Sequence, residues 1–202
     1  AILGTRGIPN NYGGFEQCAE SLSLGLVKKG HEVTVYNPDF HPFKDNNYLG
    51  VKIKHIYSPQ NYLGSAASNF IFDFLCLRDA VKNSFDIILE LGLITAAPSI
   101  ILCNKKKSII VTNLDGLEWK RAKWSPLVRK ITRNLEKFGV SNSDFLVADN
   151  IAIQKYIKEE YNRESEFIAY GTEKVLELQR LDIEKYLKEE GDFILTIARL
   201  EP

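Results

Sequence analysis

The chain has 202 residues and is 45% hydrophobic, enough to bury one sizeable domain and to begin a second. Its 26 Lys and Arg balance its 26 Asp and Glu, which excludes a global electrostatic pull toward nucleic acid. Three Cys (Cys18, Cys76, Cys103) and three His (His31, His41, His55) are widely spaced, which excludes a disulfide framework or a metal site of known spacing and fits a reducing cytoplasm.

No apolar run approaches the ~20 residues of a membrane-spanning helix, and no signal-peptide pattern is read in these residues. The chain opens on Ala1-Ile2-Leu3, contains no Met, and stops at Leu200-Glu201-Pro202 directly after a strand pattern. It therefore reads as part of a longer protein.

Short apolar runs alternate with longer helical patterns, which predicts an α/β fold: a Rossmann-like, doubly wound parallel sheet covered by helices. A strand at Ala1-Ile2-Leu3 leads through a loop into a helix near Phe15. Phe15, Ala19, Leu22 and Leu26 form its apolar face, and Gly30 is its C-cap. Residues 31–36 alternate as a strand, 37–50 read as a loop, and 51–56 alternate again. Residues 61–68 are small and polar and read as a loop; Phe70 to Lys82 is a helix. Asp86 to Leu91 is a continuous strand carrying Glu90 near its end, Ala96 to Cys103 a short buried helix, and Ser108 to Thr112 a buried strand. Lys105-Lys106-Lys107 reads as a solvated turn.

Ser125-Pro126 is the expected opening of a long helix running to about Gly139. Asp144 to Ala148 is a strand, Asn150 to Tyr161 an Asn-capped helix, and Glu166 to Ala169 a strand before the Tyr170-Gly171 turn. The chain divides into a Rossmann-like domain over 1–172, a charged linker helix over 173–192, and a strand over 193–202 that opens a second domain.

In doubly wound sheets ligands bind at the carboxyl ends of the strands. That rim collects Arg6, Tyr12, Gly13, Gly14 and Glu16; then Glu90; then Asn113, Asp115, Gly116, Glu118 and Trp119; then Asp149 and Asn150; then Tyr170 and Gly171. Gly13-Gly14 ahead of a helix is either a phosphate cradle or a plain turn that starts the helix. Asp115 is either a base that orients a sugar hydroxyl or a loop-capping acid. Asp149-Asn150 also suits a simple N-cap, and Tyr170-Gly171 a tight turn. Gly-x-Gly-x-x-Gly after the first strand and the Lys-Ser/Thr of a P-loop are both absent, which argues against an epimerase, a reductase or an NTPase. No Asp-x-Asp string or metal-ligand spacing occurs. The segment 119–137 interleaves basic residues with Trp119 and Trp124; it is either a solvated helix face or a peripheral membrane contact.

Five ordered stretches carry a resemblance: Gly4-Thr-Arg-Gly-Ile-Pro-Asn-Asn-Tyr-Gly-Gly-Phe-Glu16, Asp115-Gly-Leu-Glu-Trp-Lys-Arg-Ala-Lys-Trp124, Val147-Ala-Asp-Asn150, Ile168-Ala-Tyr-Gly171 and Ala198-Arg-Leu-Glu-Pro202. Together they resemble the family 4 glycosyltransferases, in particular their bacterial rhamnosyltransferase-like branch, once labelled a domain of unknown function. The resemblance implies a GT-B architecture. Residues 1–172 would be the acceptor-side domain, and 193–202 would begin the nucleotide-sugar-binding domain.

The activity implied is retaining, metal-independent transfer of a sugar, rhamnose favoured, from a dTDP- or UDP-linked donor to a lipid-linked saccharide in cell-surface polysaccharide synthesis. It would need no cofactor beyond that co-substrate, and would take place in the cytoplasm or at the inner membrane face. The isolated fragment would be inactive. Gly13 and Gly14 inherit contact with the donor diphosphate. Asp115 would orient or deprotonate the acceptor; many members carry a His here, where this chain has Asn113-Leu114-Asp115. Glu118, Asp149 and Tyr170 would position sugar hydroxyls, and Arg6, Tyr12, Glu16 and Asn150 would bind the acceptor. The alternative is a non-catalytic carbohydrate- or nucleotide-binding module of Rossmann type.

Overall fold

The computed structural model describes residues 1–103, 107–114 and 116–171. The chain divides into two compact units, Ala1–Tyr170 and Gly171–Pro202. The linker helix expected at 173–192, the strand expected at 193–202 and the candidate base Asp115 lie outside the described residues.

The first unit is built on one eight-stranded sheet. Its strands are β1 (Ile2–Leu3), β2 (Thr34–Pro38), β3 (Asn47–Tyr48), β4 (Val51–Ile56), β5 (Ile87–Glu90), β6 (Ile109–Leu114), β7 (Phe145–Ala148) and β8 (Glu166–Phe167), in the order β3-β4-β2-β1-β5-β6-β7-β8. All pairings are parallel except the edge pair β3–β4. The order reverses between β1 and β5, so the crevice of this Rossmann-like sheet opens at the carboxyl ends of those two strands.

The helices are α1 (Gly14–Lys28), α2 (Gln60–Lys82), α3 (Leu93–Leu102), α4 (Pro126–Asn142) and α5 (Ile151–Tyr161). Three apolar clusters join them to the sheet. Ile2, Val35, Val51 and Ile53 pack with Ala19 of α1. Leu3, Tyr36, Ile88 and Ile110 pack with Phe72 and Leu77 of α2 and with Ile100 of α3. Leu114, Leu146 and Ala148 pack with Val140 of α4 and with Ile153 and Ile157 of α5. The caps expected from sequence are in place: Ser125 accepts from Val128 N at 3.4 Å, and Asn150 from Ile153 N at 2.9 Å. After α1, the C-cap is Lys29, and Gly30 follows it at φ +89°.

Three expectations are corrected. Residues 37–50 are not all loop: β2 runs on to Pro38, and Asn47–Tyr48 forms the antiparallel edge strand. The turn that joins β3 to β4 places Leu49 (φ +50°) and Gly50 (φ +93°) both in the left-handed region, the geometry of a tight hairpin turn. Leu in place of the usual Asn hides that turn from a sequence reading. Residues 61–68 are helical, because α2 starts at Gln60 and bends at Gly64 (φ 71°, ψ 170°). Residues 61–67 are exposed, so they carry no apolar period that would betray the helix. On α1, Leu22 is exposed, and Glu16 and Ser23 share the buried face with Ala19.

Candidate functional site

The loop from Gly4 to Gly13 is tied down from below and from the side. Gly4 lies at φ +79°, and a Cβ there would sit 2.0 Å from Glu90 Oε1 and 2.2 Å from Gly92 N. Asn37, fully buried at the end of β2, grips Ile8 at both backbone groups: its Oδ1 accepts from Ile8 N (3.1 Å) and its Nδ2 donates to Ile8 O (2.7 Å). From α1, Glu16 Oε1 accepts from Arg6 N at 2.8 Å and Glu20 Oε2 from Asn10 N at 2.6 Å. The loop ends at Gly13, the extended N-cap of α1, which offers no side-chain acceptor to the first turn. A Cβ on Gly14 would meet no heavy atom within 4 Å. An uncapped helix start and open space meet there, an arrangement that can receive an anion.

Two further elements reach this point. Asn113, buried at the end of β6, donates from Nδ2 to Tyr170 Oη at 2.9 Å. The Tyr170 ring in turn packs edge-on against Phe15, the second residue of α1, with centroids 6.4 Å apart. The ends of β6 and of the segment after β8 are thus fastened to the start of α1. Nearby in sequence, the Arg6 guanidinium lies 4.1 Å over the ring of Tyr12, which is 55% exposed.

The other residues expected at the site have internal partners. Glu16 serves as the brace described above. Glu118 accepts from Trp124 Nε1 at 3.1 Å and pairs with Arg121 at 2.9 Å, closing the short 3-10 turn Glu118–Lys120. Asn150 caps α5 and donates to Asp149 Oδ1 at 2.7 Å. Burial raises the Asp149 carboxyl above its ordinary range, against the lowering effect of that bond. So Gly13, Gly14 and Tyr170 come together, with Asn113, whereas Glu118 and Asp149 make no hydrogen bond to that group among the described residues.

Two buried acidic networks play little or no part in the sequence reading. Glu90 was placed on the rim but is shut beneath the β1 loop at 0% exposure. Its Oε1 accepts from Gly92 N at 3.0 Å, and its Oε2 has no partner. Asp73 of α2, 3% exposed, faces it. Burial first, and the Asp73 charge second, push Glu90 well above the usual carboxylate range, with the Gly92 amide opposing. Burial pushes Asp73 up to about 7, against a hydrogen bond from Thr95. The signal was present: an acid interrupts the apolar run Phe70-Ile-Phe-Asp73-Phe-Leu75. The second network centres on Glu136 of α4, which accepts from both Tyr156 and Tyr161 at 2.6 Å. Trp119 Nε1 donates to Tyr156 Oη at 3.3 Å, which turns that indole inward.

Among the described residues no helix is long and apolar enough to cross a membrane, and no three His, Cys, Asp or Glu side chains group as metal ligands. The three cysteines are free thiols. The chain matches no curated protein. Over residues 1–173, which take in every strand and helix described above, it matches a known family model, and it belongs to the family described as Domain of unknown function (DUF1972).

Proposed function

We propose that this chain is the acceptor-side half of a retaining, metal-independent glycosyltransferase of the GT-B family 4 type. It would move a sugar, rhamnose favoured, from a dTDP- or UDP-linked donor to a lipid-linked saccharide for cell-surface polysaccharide. One observation carries this reading: the uncapped, glycine-started N-terminus of α1 lies against Tyr170, which Asn113 holds from β6. Departure of a nucleoside diphosphate builds negative charge on the leaving phosphate. Amides fixed at a helix N-terminus stabilise that charge without reorganising. Asn113 and Tyr170 supply polar groups that orient a sugar hydroxyl, and Arg6 beside Tyr12 suits an anionic acceptor. Asp115, next in the chain after β6, is the proposed group that orients or deprotonates the acceptor, which attacks from the face the diphosphate leaves. The reaction would run in the cytoplasm at the inner membrane face.

A non-catalytic carbohydrate- or nucleotide-binding module is favoured by one opposing observation: Glu16, Glu118 and Asp149 all have internal partners. The two readings separate in a transfer assay of the full-length protein, with dTDP- and UDP-sugars, a lipid-pyrophosphate-saccharide acceptor and EDTA throughout. Transfer that drops about a hundredfold in Asp115→Asn and about tenfold in Tyr170→Phe supports the transferase. Donor binding without transfer selects the binding module, and absence of both binding and transfer overturns either reading.

A further inference from the structure

The Asn37 clamp on Ile8 rests on a second buried side chain, His41. The chain turns after β2, with His41 N donating to Pro38 O at 2.9 Å, and this sets the imidazole, 2% exposed, against Asn37. Asn37 bonds Ile8 with both ends of its amide, so its orientation is fixed. Turned over, it would set Nδ2 against Ile8 N and Oδ1 against Ile8 O. Its Nδ2 therefore faces His41 Nδ1, at 3.3 Å, and Phe43 N donates to the same ring nitrogen at 3.2 Å. Two N–H groups converge on Nδ1, so Nδ1 is the unprotonated nitrogen and Nε2 carries the ring proton. A second proton could enter only at Nδ1, where it would point at both donors.

We propose that His41 is an acid-operated latch on the β1 loop. The neutral ring holds Asn37 in place to clamp Ile8; the protonated ring breaks with Asn37 and Phe43 and releases the loop that leads to Gly13 and Gly14. The surroundings of the ring set the direction. Burial lowers its proton affinity below the ordinary value of 6.5, the backbone of Phe43 and of Pro9 partly opposes this, and the charges of His55 in β4 and of Lys44 lower it further. At this ring the folded chain binds fewer protons than the unfolded chain below about pH 6.5, so the latch holds above that value and is lost as pH falls. Asp73 acts in the opposite sense, because it gains its proton in the folded state on acidification. The inference concerns the loop itself and stands independently of the glycosyl-transfer reading.

The test is amide exchange of the whole chain, resolved by residue with NMR, at about pH 7.5 and about pH 5. Ile8 N–H reports the clamp, and Leu89 N–H, which donates to Ala1 O at 2.8 Å, reports the sheet. After correction for intrinsic exchange, Ile8 protection should fall about tenfold or more on acidification while Leu89 protection is kept. His41→Asn offers an amide oxygen near the place of Nδ1 and cannot titrate, so Ile8 should keep its protection at both pH values. His55→Gln should respond as the wild type does. Undiminished Ile8 protection in the acidified wild type overturns the proposal, and so does a parallel loss at Leu89. A fall that persists in His41→Asn, or disappears in His55→Gln, also overturns it. Ring-nitrogen chemical shifts of the wild type supply a check that needs no variant: a proton on Nε2 alone at about pH 7.5 supports the latch, and a proton on Nδ1 overturns it.

Discussion

Glu90 and Glu136 are equally shut off from water, at 0% and 1% exposure, yet their surroundings are opposite in kind. Glu136, between α4 and α5, receives two tyrosine hydroxyls, and Trp119 is bonded to one of them. Glu90, at the centre of the sheet, receives a single amide and faces a second carboxyl, Asp73. The difference shows that donors, rather than depth, decide what a buried acid does. The Glu136 network clamps two helices together. Burial holds the Asp73–Glu90 pair toward its neutral form, beneath the strand end where the sheet order reverses.

The comparison is broken most severely through the backbone that seals Glu90. Gly4→Ala would force a Cβ against Glu90 Oε1 and Gly92 N in a left-handed conformation. We expect a loss of more than about 4 kcal/mol in urea unfolding, or no folded protein.

Next in size is the pH dependence. In the folded chain Asp73 keeps its proton up to about 7, whereas an unfolded Asp releases it near pH ~4. The native state therefore binds more protons across this window, so the Asp73 contribution to stability falls as pH rises from about 4 to about 7, and that contribution levels off above. The total should be a few kcal/mol, and Asp73→Asn should flatten the slope in denaturant midpoints taken at several pH values.

A matched pair of substitutions compares the two glutamates directly. Glu136→Gln should cost about 2 kcal/mol, because hydroxyl bonds to a carboxylate are stronger than those to an amide. Glu90→Gln should cost less, about 0.5 kcal/mol, because burial already favours the neutral side chain there. Equal costs would sink the contrast. The smallest effect is Tyr156→Phe, which removes one of the two hydroxyl donors and should lower stability by about 1 kcal/mol.

Much of the frame was legible in the sequence. The apolar runs at 51–56, 108–112 and 144–148 became β4, β6 and β7, and the Ser125 and Asn150 caps mark the starts of α4 and α5. These signals are local, so a sequence carries them in full. The site was legible only as a rim. Which rim residues meet depends on pairings across the chain: Asn113 with Tyr170 spans 57 residues, and Asn37 with Ile8 spans 29. Neither Glu118 nor Asp149 could be separated from Tyr170 by sequence, because a loop acid bonded to its neighbour reads the same as one that waits for a ligand.

The Asn37 grip on Ile8 has a thermodynamic consequence for whatever binds beside Gly14. A loop ordered only by its ligand costs that ligand roughly 1–2 kcal/mol for each residue it fixes. Here the backbone at Arg6, Ile8 and Asn10 is already fixed by Glu16, Asn37 and Glu20. Folding has ordered those residues beforehand, so an arriving ligand meets a surface whose freedom is largely spent and keeps more of its contact energy as affinity.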